Sequence, residues 1–203
     1  SGASTGSFVH DLFEYGVKNK FSKKEQFVKH AVKMSREADW KGVDLDDVNG
    51  IIDVFWARNR GMYDAKSLVE AQFSFKMDGF KFYGIADRID FLTDNKIRIV
   101  DYKTNRRAVP VKKRMWQLGF YAIAAKECMG LTASQLVLDM LRLEKPVEID
   151  AESSKFDLDG IKEEILETAR KIVADYEKEF LPAEDDGPCY NCGYKFYCPK
   201  WNS

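Results

Sequence analysis

Apolar residues in the first sixty positions recur at helical spacing. Phe8, Val9, Leu12, Phe13 and Val17 form one stripe, a second pattern covers residues 23–38, and a third starts at the cap Asp44 and runs to Gly61. From residue 66 the period shortens to two. Val69, Ala71, Phe73, Phe75 and Met77 alternate with their neighbours as far as Asp78-Gly79, a dipeptide that favours a tight hairpin. Strands over 80–92 and 96–103 follow, joined by Thr93-Asp94-Asn95, so the region predicts a three-stranded meander. After Pro110 a helical run covers 111–128 and stops at Gly130. Residues 135–143 read as an apolar strand, 146–149 as an edge strand, and 158–180 as a last helix. An acidic AEDDGP segment separates that helix from a cysteine-bearing tail over 187–203. This order predicts one α/β domain over residues 1–203, with N-terminal helices (1–62), a sheet and helix (66–145), and a mixed sheet flanked by helices.

Charge narrows the picture. The chain of 203 residues carries 32 basic and 33 acidic side chains, a net of −1, which excludes the global positive field of an architectural DNA binder. No apolar run reaches the roughly 20 residues that span a bilayer, and the N-terminus lacks a secretory layout. A soluble, cytoplasmic protein without membrane partners is expected. No GxxxxGK[ST] phosphate loop occurs, so the chain is not itself a helicase. Three of the four cysteines, Cys189, Cys192 and Cys198, crowd into the last fifteen residues, whereas Cys128 stands apart. That asymmetry argues against a disulfide framework and for a local metal or cluster site.

Strand alternation assigns faces. Asp87 falls in register with Tyr83, Ile85, Ile89 and Phe91, while Asp101 and Lys103 follow Ile97 and Ile99 on one face of the next strand. Charges at such positions require partners. A buried ion pair to Lys103 and a metal site both satisfy that requirement. Glu70, on the polar face opposite Phe73 and Phe75, is an additional candidate, and His30 is expected on a solvated helix face.

Four motifs occur in a fixed order: His10 in GSFVHDLFE, Asp87 in GIAD, Asp101 and Lys103 in VDYKTN fourteen residues later, and Gln117 with Tyr121 in RMWQLGFYAIAA. In this the chain resembles the nuclease domain of RecB and its relatives, in the PD-(D/E)XK superfamily. The resemblance implies a restriction-endonuclease-like core. It implies that Asp87, Asp101, His10 and the backbone carbonyl of Tyr102 ligate Mg²⁺ or Mn²⁺, the imidazole favouring Mn²⁺. Lys103 would orient the attacking water and stabilise charge developing on the phosphate. Gln117 and Tyr121, four apart on one helix face, would point toward the DNA backbone. The basic run of Arg106, Arg107, Lys112, Lys113 and Arg114 leaves the same strand and suits phosphates.

The tail spacing C-x2-C-x5-C is similar to that of the cluster-bearing branch, which includes CRISPR-adaptation nucleases and helicase-nucleases. There three C-terminal cysteines and one upstream cysteine hold a 4Fe-4S cluster. Thiolates suit iron-sulfur and zinc alike, and the fourth ligand is not visible in this chain. The expected function is a divalent-metal-dependent DNA nuclease in recombination, repair or phage DNA processing within a bacterial or phage-infected cell, with exonuclease action preferred by the resemblance and an endonuclease with the same site as the close alternative. A separate helicase or recombination protein would supply any unwinding. The rival reading is a non-catalytic DNA-binding or assembly module with a nuclease fold.

Overall fold

The computed structural model describes residues 5–61, 67–107, 111–176 and 198, with backbone alone at 111–113 and 176. Three helices come first, α1 (Thr5–Lys18), α2 (Lys24–Met34) and α3 (Leu45–Asn59), with a 3-10 turn at Ala38–Trp40 between the last two. Five strands follow, β1 (Leu68–Met77), β2 (Phe80–Phe91), β3 (Lys96–Lys103), β4 (Thr132–Met140) and β5 (Val147–Asp150). Helix α4 (Val111–Met129) bridges β3 and β4, and α5 (Leu158–Tyr176) ends the described run. Residues 1–165 form one compact unit; a second, 166–203, holds the continuation of α5. No described helix is long and apolar enough to cross a membrane.

The sheet runs β1-β2-β3-β4-β5, antiparallel except that β3 and β4 are parallel. Parallel neighbours need a long crossover, and α4 is that crossover. The meander forms as its turns predict. Asp78 and Gly79 both lie in the left-handed region (φ +49° and +80°), the conformation a two-residue hairpin turn requires, and Asp94 and Asn95 do likewise. The expected mixed sheet flanked by helices is therefore present.

One face of β3 and β4 carries Val100, Tyr102 and Val137, packed with Leu141 just past β4 against Phe8, Phe13, Phe27, Ile52 and Phe55 of the three N-terminal helices. Phe13 stacks on Phe55 at 3.7 Å between ring centroids, and both meet Tyr102 edge-on. Helix α1 approaches α2 closely because position 16 is glycine: a Cβ there would lie 2.1 Å from the Phe27 ring. Asp44 caps α3 by accepting from the amides of Asp46 and Asp47. Helix α2 ends at Met34 rather than near residue 38, since Met34 is its last buried side chain and 35–39 is polar and largely exposed. The opposite sheet face buries Ile97, Ile99, Leu136 and Leu138, with α4 packed across β1 to β4.

A buried polar network ties α3 to the sheet. Asp139 on β4 accepts from Arg58 (2.7 Å) and Asn59 (2.9 Å). Arg88 on β2, fully buried, donates to Asn59 Oδ1 (3.0 Å), to the Tyr102 hydroxyl (2.5 Å) and, through two nitrogens, to Asp90. A buried guanidinium persists only with its countercharge. Asp90→Ala is expected to destabilise the fold by about 3–5 kcal/mol, read as a lowered urea midpoint; a midpoint within error of wild type would contradict the assignment.

Candidate active site

The site forms where one ladder stops short and its neighbour is interrupted. Strands β2 and β3 pair from Arg88↔Val100 to Phe91↔Ile97, and beyond Arg88 the side chain of Asp87 takes over: Asp87 Oδ2 accepts from the Tyr102 amide at 2.6 Å. Between the pairs Val69↔Arg88 and Ala71↔Ala86, Glu70 lies opposite Asp87 with φ +47°, a left-handed backbone within a strand. Helix α1 delivers His10, whose Nδ1 is 3.3 Å from Asp87 Oδ1 and whose Nε2 is 3.2 Å from the Tyr102 carbonyl oxygen. His10, Glu70 and Asp87 each offer one ligand atom, all within 4.8 Å of one another. They line a cavity of about 480 Å³ together with Gly6, Ser7 and Asp11.

Asp101 stands outside this trio. Its Oδ2, buried and without a well-aligned hydrogen bond, makes a close charge contact of 2.6 Å with Lys103 Nζ. The buried ion pair that strand alternation left open beside a metal site is thus present, between Asp101 and Lys103. The donor set suits a hard divalent cation: two or three carboxylates, one carbonyl and one imidazole. Tyr102 serves this site through its peptide, while its ring packs behind the sheet and its hydroxyl takes the Arg88 bond.

The electrostatics fit crowded negative charge. Burial pulls the His10 imidazole down, but the bond and charge of Asp87, with Glu70 and Asp101, outweigh it and raise it above 6.5. Burial and Asp87 lift Glu70 above its ordinary range. Tyr121 is pushed up to about 12, by burial first, then by Asp101, Asp87 and Glu70, against the pull of Gln117. Its hydroxyl accepts from Gln117 Nε2 at 2.9 Å, and Arg114 reaches Gln117 at 3.4 Å. The pair expected on one helix face is joined, and Tyr121 is also buried core. Arg106 and Arg107 are exposed at the exit of β3, and Arg106 lies 3.8 Å from Asp47, which Arg142 also grips. Of the tail cysteines only Cys198, buried, is among the described residues; Cys189 and Cys192 lie outside them.

A family model for the PD-(D/E)XK nuclease superfamily matches residues 1–199. The chain belongs to that superfamily. Two solved structures resemble this nuclease domain. One, described as "Putative exonuclease" from Eubacterium rectale, is 12% identical, with 95% of this chain and 81% of that one covered and a TM-score of 0.53. The other, of SSO0001, is 17% identical, covers 94% and 84%, and has a TM-score of 0.42. No curated protein matches the chain.

Glu70 is the site residue that alternation undervalues. Its place was nonetheless encoded: a two-residue turn at 78–79 pairs Met77 with Phe80 and, counted back, sets Glu70 across from Asp87.

The Asp101 carboxyl is pushed up to about 6, by burial first and then by the Asp87 charge, against Lys103 and His10. A carboxyl that holds its proton more tightly folded than unfolded, where 3.8 applies, makes the fold lose stability as pH rises through that interval. In EDTA, the unfolding free energy of wild type minus that of Asp101→Asn should therefore decline between about pH 4 and pH 6 and level off above. Urea titrations at pH 4, 5, 6 and 7 measure it; a pH-independent difference would contradict the buried, proton-binding carboxyl.

Proposed function

We propose that this nuclease domain is a divalent-metal-dependent deoxyribonuclease of the RecB-like branch, acting on DNA ends as an exonuclease. One observation carries the reading: His10, Glu70 and Asp87 converge within ligand reach beside the Tyr102 peptide, with Lys103 held on Asp101. Exonuclease rather than endonuclease action is supported by the description of the Eubacterium rectale protein.

His10, Glu70, Asp87 and the Tyr102 carbonyl would hold Mg²⁺ or Mn²⁺, with Asp101 adjacent. A bound cation of this kind supplies a polarised phosphate and a water of lowered pKa. Asp101 keeps the Lys103 ammonium at the site, where it orients the attacking water and stabilises charge that develops on the phosphate. Gln117, Tyr121, Arg106 and Arg107 would hold the strand backbone on either side. In the same reading Cys189, Cys192 and Cys198 contribute thiolates to an iron-sulfur cluster, with zinc as the chemical alternative. Recombination, repair or phage DNA processing, beside a separate helicase or recombination protein, is the setting this chemistry suits.

Linear single- and double-stranded DNA, and covalently closed circles, incubated with Mn²⁺, Mg²⁺ or EDTA test the proposal. Linear DNA should be degraded with metal and spared in EDTA, circles should persist, and Lys103→Ala should cost about 10²–10³ in rate, with Glu70→Gln also impaired. Nicked circles would overturn the exonuclease assignment, and intact linear DNA with both metals the metal-dependent deoxyribonuclease itself.

A further inference from the structure

Positive charge is not spread evenly along this near-neutral chain. Residues 18–41 carry eight basic side chains against three acidic ones. Lys18 and Lys24 are spent on Glu14 and Asp53. Lys29, Lys33 and Arg36 are exposed and make no ion pair among the described residues. They fall at i, i+4 and i+7 of the α2 region, a single stripe about 10 Å long at 1.5 Å per residue.

The stripe borders a groove of about 520 Å³, lined also by Phe21, His30 and Val32, with no carboxylate in its wall. His30 does not stand in solvent as its isolated position suggests. Its ring stacks on Tyr15 at 3.7 Å and 10° between planes, and Phe21 meets both rings edge-on at 6.0 and 5.7 Å. Tyr15 is 41% exposed and Val32 37%. Aromatic surface interleaved with unpaired cations is the combination that binds unpaired nucleic acid: cations take phosphates, and rings take bases that no duplex stack occupies. Tyr15 shares α1 with His10, about 7.5 Å along the axis and about 140° around it, so a strand that engages both passes round the helix. An acidic protein segment would use the cations but has no need of the ring trio.

We infer that the groove along α2 is a docking track for single-stranded DNA, with Lys29, Lys33 and Arg36 on successive phosphates and a base against the adjoining Tyr15–His30–Phe21 rings. The inference rests on the nuclease reading for its substrate class. It assigns this surface the role of gripping the strand away from the reacting phosphate.

Fluorescence anisotropy of a labelled 20-nucleotide single strand, with the full chain in EDTA over a salt series, tests it. Lys29→Gln/Lys33→Gln/Arg36→Gln should weaken binding at least about tenfold and lower the log–log salt slope by about 2, at about 0.7 per phosphate. Tyr15→Ala/His30→Ala should weaken binding about tenfold with the slope unchanged. Both variants should retain wild-type melting temperature and wild-type Mn²⁺-dependent turnover of bis-p-nitrophenyl phosphate, a diester too small to reach the groove. Absent turnover in wild type would strike the nuclease reading and leave the groove to the binding data. Unchanged affinity and slope in the triple variant, or displacement of the strand by polyglutamate as readily as by unlabelled strand, would overturn the groove.

Discussion

The bond from Arg88 to the Tyr102 hydroxyl is the constraint on which the site depends. Arg88 is fully buried and cannot shed its charge, so Asp90, Asn59 and Tyr102 must stay where they are. Tyr102 is thereby pinned at its far end, and its ring abuts the stacked pair of Phe13 and Phe55 edge-on. Its peptide then has one position. The amide holds Asp87 and the carbonyl faces His10. Asp139, on the strand parallel to β3, locks the same network to α3 through Arg58 and Asn59. A charge behind the sheet thus orients groups in front of it through one residue, as outer-shell partners orient metal ligands elsewhere.

In front of the sheet the problem is reversed. Glu70, Asp87 and Asp101 crowd together, and among the described residues Lys103 and a proton-retaining His10 oppose them. Burial first, and then the same excess of negative charge, raises proton affinity at Glu70 and Asp101. A divalent cation held there would relieve it directly and displace protons on binding. The left-handed backbone of Glu70 is consistent with a strained residue retained for its side chain, since such conformations cost free energy that the surroundings must offset.

Much of this was legible in the sequence because it depends on local rules. The Asp78-Gly79 turn, the Asp44 cap and the alternation in β2 and β3 predict the elements that carry Asp87, Asp101 and Lys103, and motif order brings in His10, Gln117 and Tyr121. Arg88 was not legible. An arginine at an alternating strand position reads as solvent-facing, and only the tertiary arrangement reveals that Asp90, Asn59 and Tyr102 enclose it. His30 escaped for the same reason, since its partner Tyr15 is fifteen residues away on another helix. The beginning of β4 at Thr132, earlier than its apolar run suggests, follows from pairing with Lys96 at the start of β3.

The central claim is that His10, Glu70 and Asp87 meet around one cation at the Tyr102 peptide. Pulsed EPR of bound Mn²⁺ tests it most directly. Nitrogen coupling from a single imidazole is expected, abolished in His10→Gln, with Mn²⁺ binding weakened in Asp87→Asn and in Arg88→Met by about 10–100-fold. Mn²⁺ bound with wild-type affinity in Asp87→Asn, or with no imidazole coupling in the intact protein, would contradict it.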